Sequence, residues 1–191
     1  MPTQLLYPNA AGDLTQFSTV SSGTHFEAVD ETSADDDTSY IRSGLDEADE
    51  TWSIVIKENS TTTAVAKSAT STYANYTNEF TVKPSDSSAF TVTDINNLQI
   101  GVKYTGDDNP INQTDLFNIQ DWPNNSGDTI NSVTVTARWK SSSTAAFSFM
   151  QCTQVFVSVD YTEAVAAVTT GPFKIQAGAK VKITSGKLTI E

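Results

Sequence analysis

The chain is 191 residues long, 38% hydrophobic, and carries 23 Asp/Glu against 11 Lys/Arg for a formal charge of -12. That length suits one sizeable core with at most a small appendage. The acidic balance argues against nucleic acid as a partner, because phosphate contacts need clustered Lys and Arg, and the lone Cys152 excludes an internal disulfide framework.

Residues 1–24 read as an extended lead-in broken by Pro8, Gly12 and Gly23, and His25 to Val29 alternates as a strand would. The acidic stretch from Asp30 to Glu50 is expected to be mostly loop around Tyr40-Ile41. Thr51 to Lys57 places Trp52, Ile54 and Ile56 on one face, and a turn at Glu58-Asn59-Ser60 predicts a hairpin with Thr63 to Lys67. A further strand is expected from Tyr76 to Val82, ended by Pro84. Thr93 to Leu98 suits one helical turn with Thr93 as N-cap and Ile95 and Leu98 inward. Leu98 to Tyr104 returns to strand, and Gly106 to Gln113 is a polar loop.

Leu116 to Ile119 with Trp122-Pro123 reads as an edge or corner. Thr129 to Lys140 alternates Val133, Val135, Ala137 and Trp139 with polar residues, and Ala145 to Gln151 and Thr153 to Tyr161 supply two more strands. The last of these is apolar on both sides at Phe156, which suits a central position. No ten-residue segment sustains a helical period. The fold class is therefore all-β, an antiparallel two-sheet sandwich with a body over 25–161; a jelly roll is the preferred topology and an immunoglobulin-like order the alternative.

Residues 162–172 are rich in Ala, Thr and Val and read as a linker to a C-terminal β-tail, 173–191. That tail alternates in three short pieces, Phe173 to Gln176, Lys180 to Ile183 and Lys187 to Ile190. Its larger apolar residues, Phe173, Ile175, Val181, Ile183, Leu188 and Ile190, are too few to offset the entropy of ordering it alone. The stripe must pack on the body or on another chain, so these six are the candidate assembly residues. Charge also reverses there: residues 171–191 hold four Lys and one Glu, against seven Lys/Arg and twenty-two Asp/Glu before them. Basic tail and acidic body attract, within or between subunits.

Among chemistry-bearing residues, Asp30, Asp35, Asp36 and Asp37 are hard oxygen ligands of the kind calcium takes. They lack the spacing of a calcium loop, and a solvated acidic loop is the simpler reading; any such ion would be structural, and no other cofactor is implied. Asp107, Asp108 and Asn109 form a weaker second set. His25 stands without a Gly-x-Ser-x-Gly elbow to complete a triad, and Cys152 has no cationic neighbour in sequence. Trp52 and Trp139 are in phase with core residues, whereas Trp122 lies in a turn-rich stretch where it is open to stacking on a glycan. The sequons at Asn59, Asn75, Asn112 and Asn124 read as coincidence in a Ser/Thr-rich chain. Neither a secretory leader nor an apolar membrane span is recognisable, so synthesis in a cytoplasm and no membrane partner are expected.

Several phrases carry a resemblance: Phe26-Glu27-Ala28-Val29-Asp30-Glu31, Asp35 to Ile41, Phe90 to Val102, Ile130 to Arg138 and Thr153 to Tyr161. Over residues 5–161 they resemble structural proteins of tailed phages, a diffuse group without a catalytic motif. The resemblance implies a jelly-roll-like sandwich on a virion: a capsid decoration protein, head fibre or minor tail component. The order departs from that pattern, since Asp115 to Lys140 follows Val102 here instead of preceding the piece like Thr51 to Val82. The expected partners are copies of itself, as a trimer sharing an apolar axis of tails, and other virion proteins. The alternative is a carbohydrate-binding or host-adhesion module.

Overall fold

A computed structural model describes residues 1–21, 23–44, 51–105, 112–143, 148–164, 181–184 and 187–190. Its strands in chain order are β1 (Thr3–Leu6), β2 (Pro8–Thr15), β3 (Ser18–Val20), β4 (Tyr40–Arg42), β5 (Thr51–Glu58), β6 (Thr61–Lys67) and β7 (Ala74–Phe80). After the short helix α1 (Val92–Asn96) come β8 (Gln99–Thr105), β9 (Asn112–Ile119), β10 (Thr129–Ser143), β11 (Ser148–Thr162), β12 (Val181–Thr184) and β13 (Lys187–Ile190). Two antiparallel sheets pack as a sandwich. One has the order β3-β4-β11-β10-β7, with β1 also paired to β11; the other runs β2-β9-β8-β5-β6.

The alternation seen in sequence becomes the core. From β10 and β11, the paired rows Val133/Val159, Val135/Val157 and Ala137/Val155 are fully buried. Trp52/Tyr104, Ile54/Val102 and Ile56/Ile100 of β5 and β8 are buried as well. On the reverse side of that second sheet Val55 pairs with Gly101 and Gly101 with Leu116. A Cβ on Gly101 would lie 1.8 Å from the Asp115 carbonyl oxygen, so only glycine lets β8 and β9 run this close. Asp13 of β2 crosses the same side, forming an ion pair with Lys57 and accepting from Gln99 Nε2 at 3.1 Å.

Several expectations are corrected. Residues 1–24 are not a lead-in: they supply β1, β2 and β3 to both sheets, because Leu6 and Phe17 are core residues. The sandwich therefore starts at Thr3 instead of residue 25 and runs to Thr162. Phe26–Ala28 is a 3-10 turn rather than part of a strand, closed by Val29 N–H to the Phe26 carbonyl at 3.1 Å. The N-cap of α1 is Thr91, which shares a reciprocal capping box with Asp94. β9, expected at an edge, lies between β2 and β8. Two expected strands fuse into β11, with a bulge where Arg138 pairs with Gln154 and Trp139 with Cys152. That extra residue, Thr153, switches the inward phase from Met150 and Cys152 to Val155 and Val157.

β1 pairs with the last body strand, as first and last strands do in a jelly roll, while β5–β6, β8–β9 and β10–β11 each stay within one sheet. Jelly-roll order, expected from sequence, is not established by this arrangement. Of the tail, β12 and β13 form a separate two-stranded antiparallel sheet. The expected strand at Phe173 to Gln176 lies outside the described residues, as does most of the linker.

Candidate functional site

The acidic segment after Val29 is fastened to the sheet by side-chain donors to Asp35, Asp36 and Asp37. Arg138 grips Asp36 through both oxygens, Nε to Oδ1 at 2.7 Å and Nη2 to Oδ2 at 2.9 Å. This bidentate contact holds the Asp36 carboxyl below its ordinary range. Lys140 Nζ meets Asp37 Oδ1 at 2.5 Å, and Tyr73 donates its hydroxyl to the same oxygen at 3.3 Å. The Tyr73 ring in turn lies 4.4 Å from Lys140 Nζ, a cation–π contact. Burial, then the Asp37 charge, pushes the Tyr73 hydroxyl well above its usual range.

One turn earlier, Thr153 Oγ1 donates to Asp35 Oδ1 at 3.0 Å, and Gln154 Nε2 donates to the Glu31 carbonyl at 2.6 Å. Glu31 Oε2 is buried without a hydrogen-bond partner among the described residues. Burial, with Asp35 and Asp30 adding repulsion, raises the Glu31 carboxyl from its ordinary 4.5 to about 7. Burial also raises Asp30. Of the calcium candidates, Asp35, Asp36 and Asp37 thus face separate partners, and among the described residues, Asp30 included, no three metal-ligating side chains converge. Two of the four carboxylates are already matched by Arg138 and Lys140. The second acidic set, Asp107 to Asn109, lies outside the described residues.

Asp115 was not singled out by sequence, yet it is the most heavily used carboxylate of the interior. It is fully buried, accepts the backbone N–H groups of Gln16 at 2.5 Å and Phe17 at 2.9 Å, and meets His25 Nδ1 at 2.5 Å. An aspartate among the apolar Leu116 and Phe117 of a strand is the signal that marks it. Its bonds lock the segment after β2 and the 3-10 turn onto β9, which gives His25 a structural partner. Cys152 is fully buried and its thiol is pushed up by that burial, the reverse of what a nucleophile needs.

Trp122 corrects the glycan expectation. It is 7% exposed, donates its indole N–H to Asp128 Oδ2 at 3.1 Å, and stands edge-on to Tyr161 with ring centres 4.9 Å apart. No open ring face is left for a sugar. Trp52 and Trp139 are core residues as expected, against Tyr104 and Tyr76 respectively. Asp128 Oδ1 also accepts the Ala164 N–H at 2.8 Å, beside a shallow pocket of about 220 Å³ lined by Asn124, Asn125, Tyr161 and Glu163. That bond pins the chain where it leaves the sandwich.

Among the assembly candidates, Phe173 and Ile175 lie outside the described residues. The remaining four are in the hairpin. Val181 pairs with Ile190 and Ile183 with Leu188, so all four share one face; Lys182, Thr184, Lys187 and Thr189 share the other. No protein-family model, curated protein or solved structure matches this chain.

Proposed function

We propose that this chain is a non-enzymatic structural protein that acts by multivalent attachment, held to copies of itself through its C-terminal tail. The observation that carries the reading is the register of β12 and β13, which aligns Val181, Ile183, Leu188 and Ile190 on one face of a two-stranded sheet. A lone hairpin is marginal in water, so such a face calls for a covering surface. The body supports the reading from the other side: its strands already form a sandwich with a continuous core, and Asp36 and Asp37 of its acidic segment are used in ion pairs to β10.

The setting we propose is a virion, as a capsid decoration protein, head fibre or minor tail component, on the strength of the resemblance in phrases from Phe26 to Tyr161. The trimer remains the proposed oligomer. Mass spectrometry of purified particles tests the setting. The chain is expected there in stoichiometric amount, and to be lost from particles when Ile183 and Leu188 are both changed to Lys. Its absence from particles in cells that express it would overturn the virion reading. The glycan alternative has no favouring observation now that Trp122 is in the core.

A further inference from the structure

Two strands that end their sheets on the same side, β6 and β7, leave the sandwich open along a shared margin. Among the described residues β6 pairs only with β5, and β7 only with β10. Thr63 and Val65 stand opposite Ile56 and Ile54, on the core-facing side, yet both are only half-buried. On β7, Phe80 stands opposite the fully buried Val133 and is half-buried too. Lys67 Nζ spans the gap between the sheets to Asn78 Oδ1 at 3.3 Å. Just past β7, Val82 is 43% exposed.

Exposed sheet edges are usually blunted by Pro, a bulge, an inward charge or shortness. β6 is seven residues long, has no Pro, and keeps an unbroken register with β5; its one charge, Lys67, does turn inward but only at the last residue, leaving Thr61 to Ala66 without such a block. The hairpin has the matching features: a regular edge and one apolar face. Within a single chain it is a sheet of its own, and β6 remains the last strand of the other sheet. We infer that the β12–β13 hairpin of one copy adds to the free edge of β6 in a neighbouring copy, setting its apolar face beside Val65 and across from Phe80.

This inference rests on the tail being a self-assembly element, and it names the surface that element takes. Strand addition supplies main-chain hydrogen bonds along β6, while side-chain alternation fixes which face turns inward. Seventeen residue steps separate Ala164 from Val181, a reach of at most roughly 60 Å when extended. Tail-on-edge contact is heterologous, so successive copies close into a ring if the rotation permits, and a trimer is one such ring.

Hydrogen exchange followed by mass spectrometry on the full chain, with sedimentation on the same samples, tests the inference. In the assembled wild type, peptides covering Thr61 to Lys67 are expected to exchange more than about tenfold slower than in Ile183→Lys, which keeps the body intact. Fast exchange over β6 in a wild type that assembles and dissociates on Ile183→Lys would overturn this inference and leave the tail reading standing. A wild type that stays monomeric overturns both, whether or not β6 is protected. A second variant, Val65→Thr, retains strand preference and is expected to weaken assembly at least severalfold without unfolding; unchanged assembly counts against the surface named.

Discussion

At the scale of single residues, buried carboxylates do the structural work in this acidic chain. Asp115 alone satisfies two backbone donors and His25 in the interior. Asp115→Ala strands those groups, and urea denaturation is expected to show a loss of about 3–5 kcal/mol, as for other broken buried pairs. Glu31 behaves in the opposite sense with pH. Its carboxyl is raised to about 7, so the folded protein holds the proton more tightly than the unfolded chain. The associated stability is full below the ordinary 4.5 and is lost as pH rises through 7. Between pH 5 and pH 8 that loss, reduced by solvent screening of a half-buried carboxyl, is about 1 kcal/mol, and Glu31→Gln, which cannot ionise, should flatten this part of the profile. Asp36, lowered by Arg138, acts in a separate window: its contribution is present above 3.8 and disappears at lower pH.

Elements show where the sequence was readable. The period-2 row Val133 to Trp139 was legible because its two faces differ in polarity, and the β5–β6 hairpin followed from its large apolar residues Trp52, Ile54 and Ile56 and its turn. β1 to β3 were not, since their strand character comes from partners distant in sequence: β11 for β1, β9 for β2 and β4 for β3. The bulge at Thr153 looked like a break between strands because it inverts the alternation without ending the ladder. Of the candidate sites, the two described tail strands were legible from alternation but their pairing was not, and the ion pairs of Asp36 and Asp37 and the role of Asp115 depend on tertiary neighbours. The tightest element contact also has a direct test. Gly101→Ala must push β8 away from the Asp115 backbone, and a destabilisation of about 3 kcal/mol in thermal or chemical unfolding is expected, the upper range for overpacking.

Over the whole molecule, the N-terminal strands and the body strands together make one sandwich, and Arg138 and Lys140 tie Asp36 and Asp37 of the acidic segment to it. What is left over is the tail, basic where the rest is acidic and apolar along one face of its hairpin. Trp122→Ala belongs to the body: it should cost about 3–5 kcal/mol of stability and leave assembly unchanged at temperatures where the chain is folded. The tail variants belong to assembly, with the stability of the body retained. Sedimentation equilibrium of the full chain beside Ile183→Lys/Leu188→Lys separates these roles most directly. The wild type is expected as a defined oligomer and the double variant as a monomer with an unchanged near-ultraviolet spectrum. A monomeric wild type, or a double variant that assembles as the wild type does, would contradict self-association through the tail.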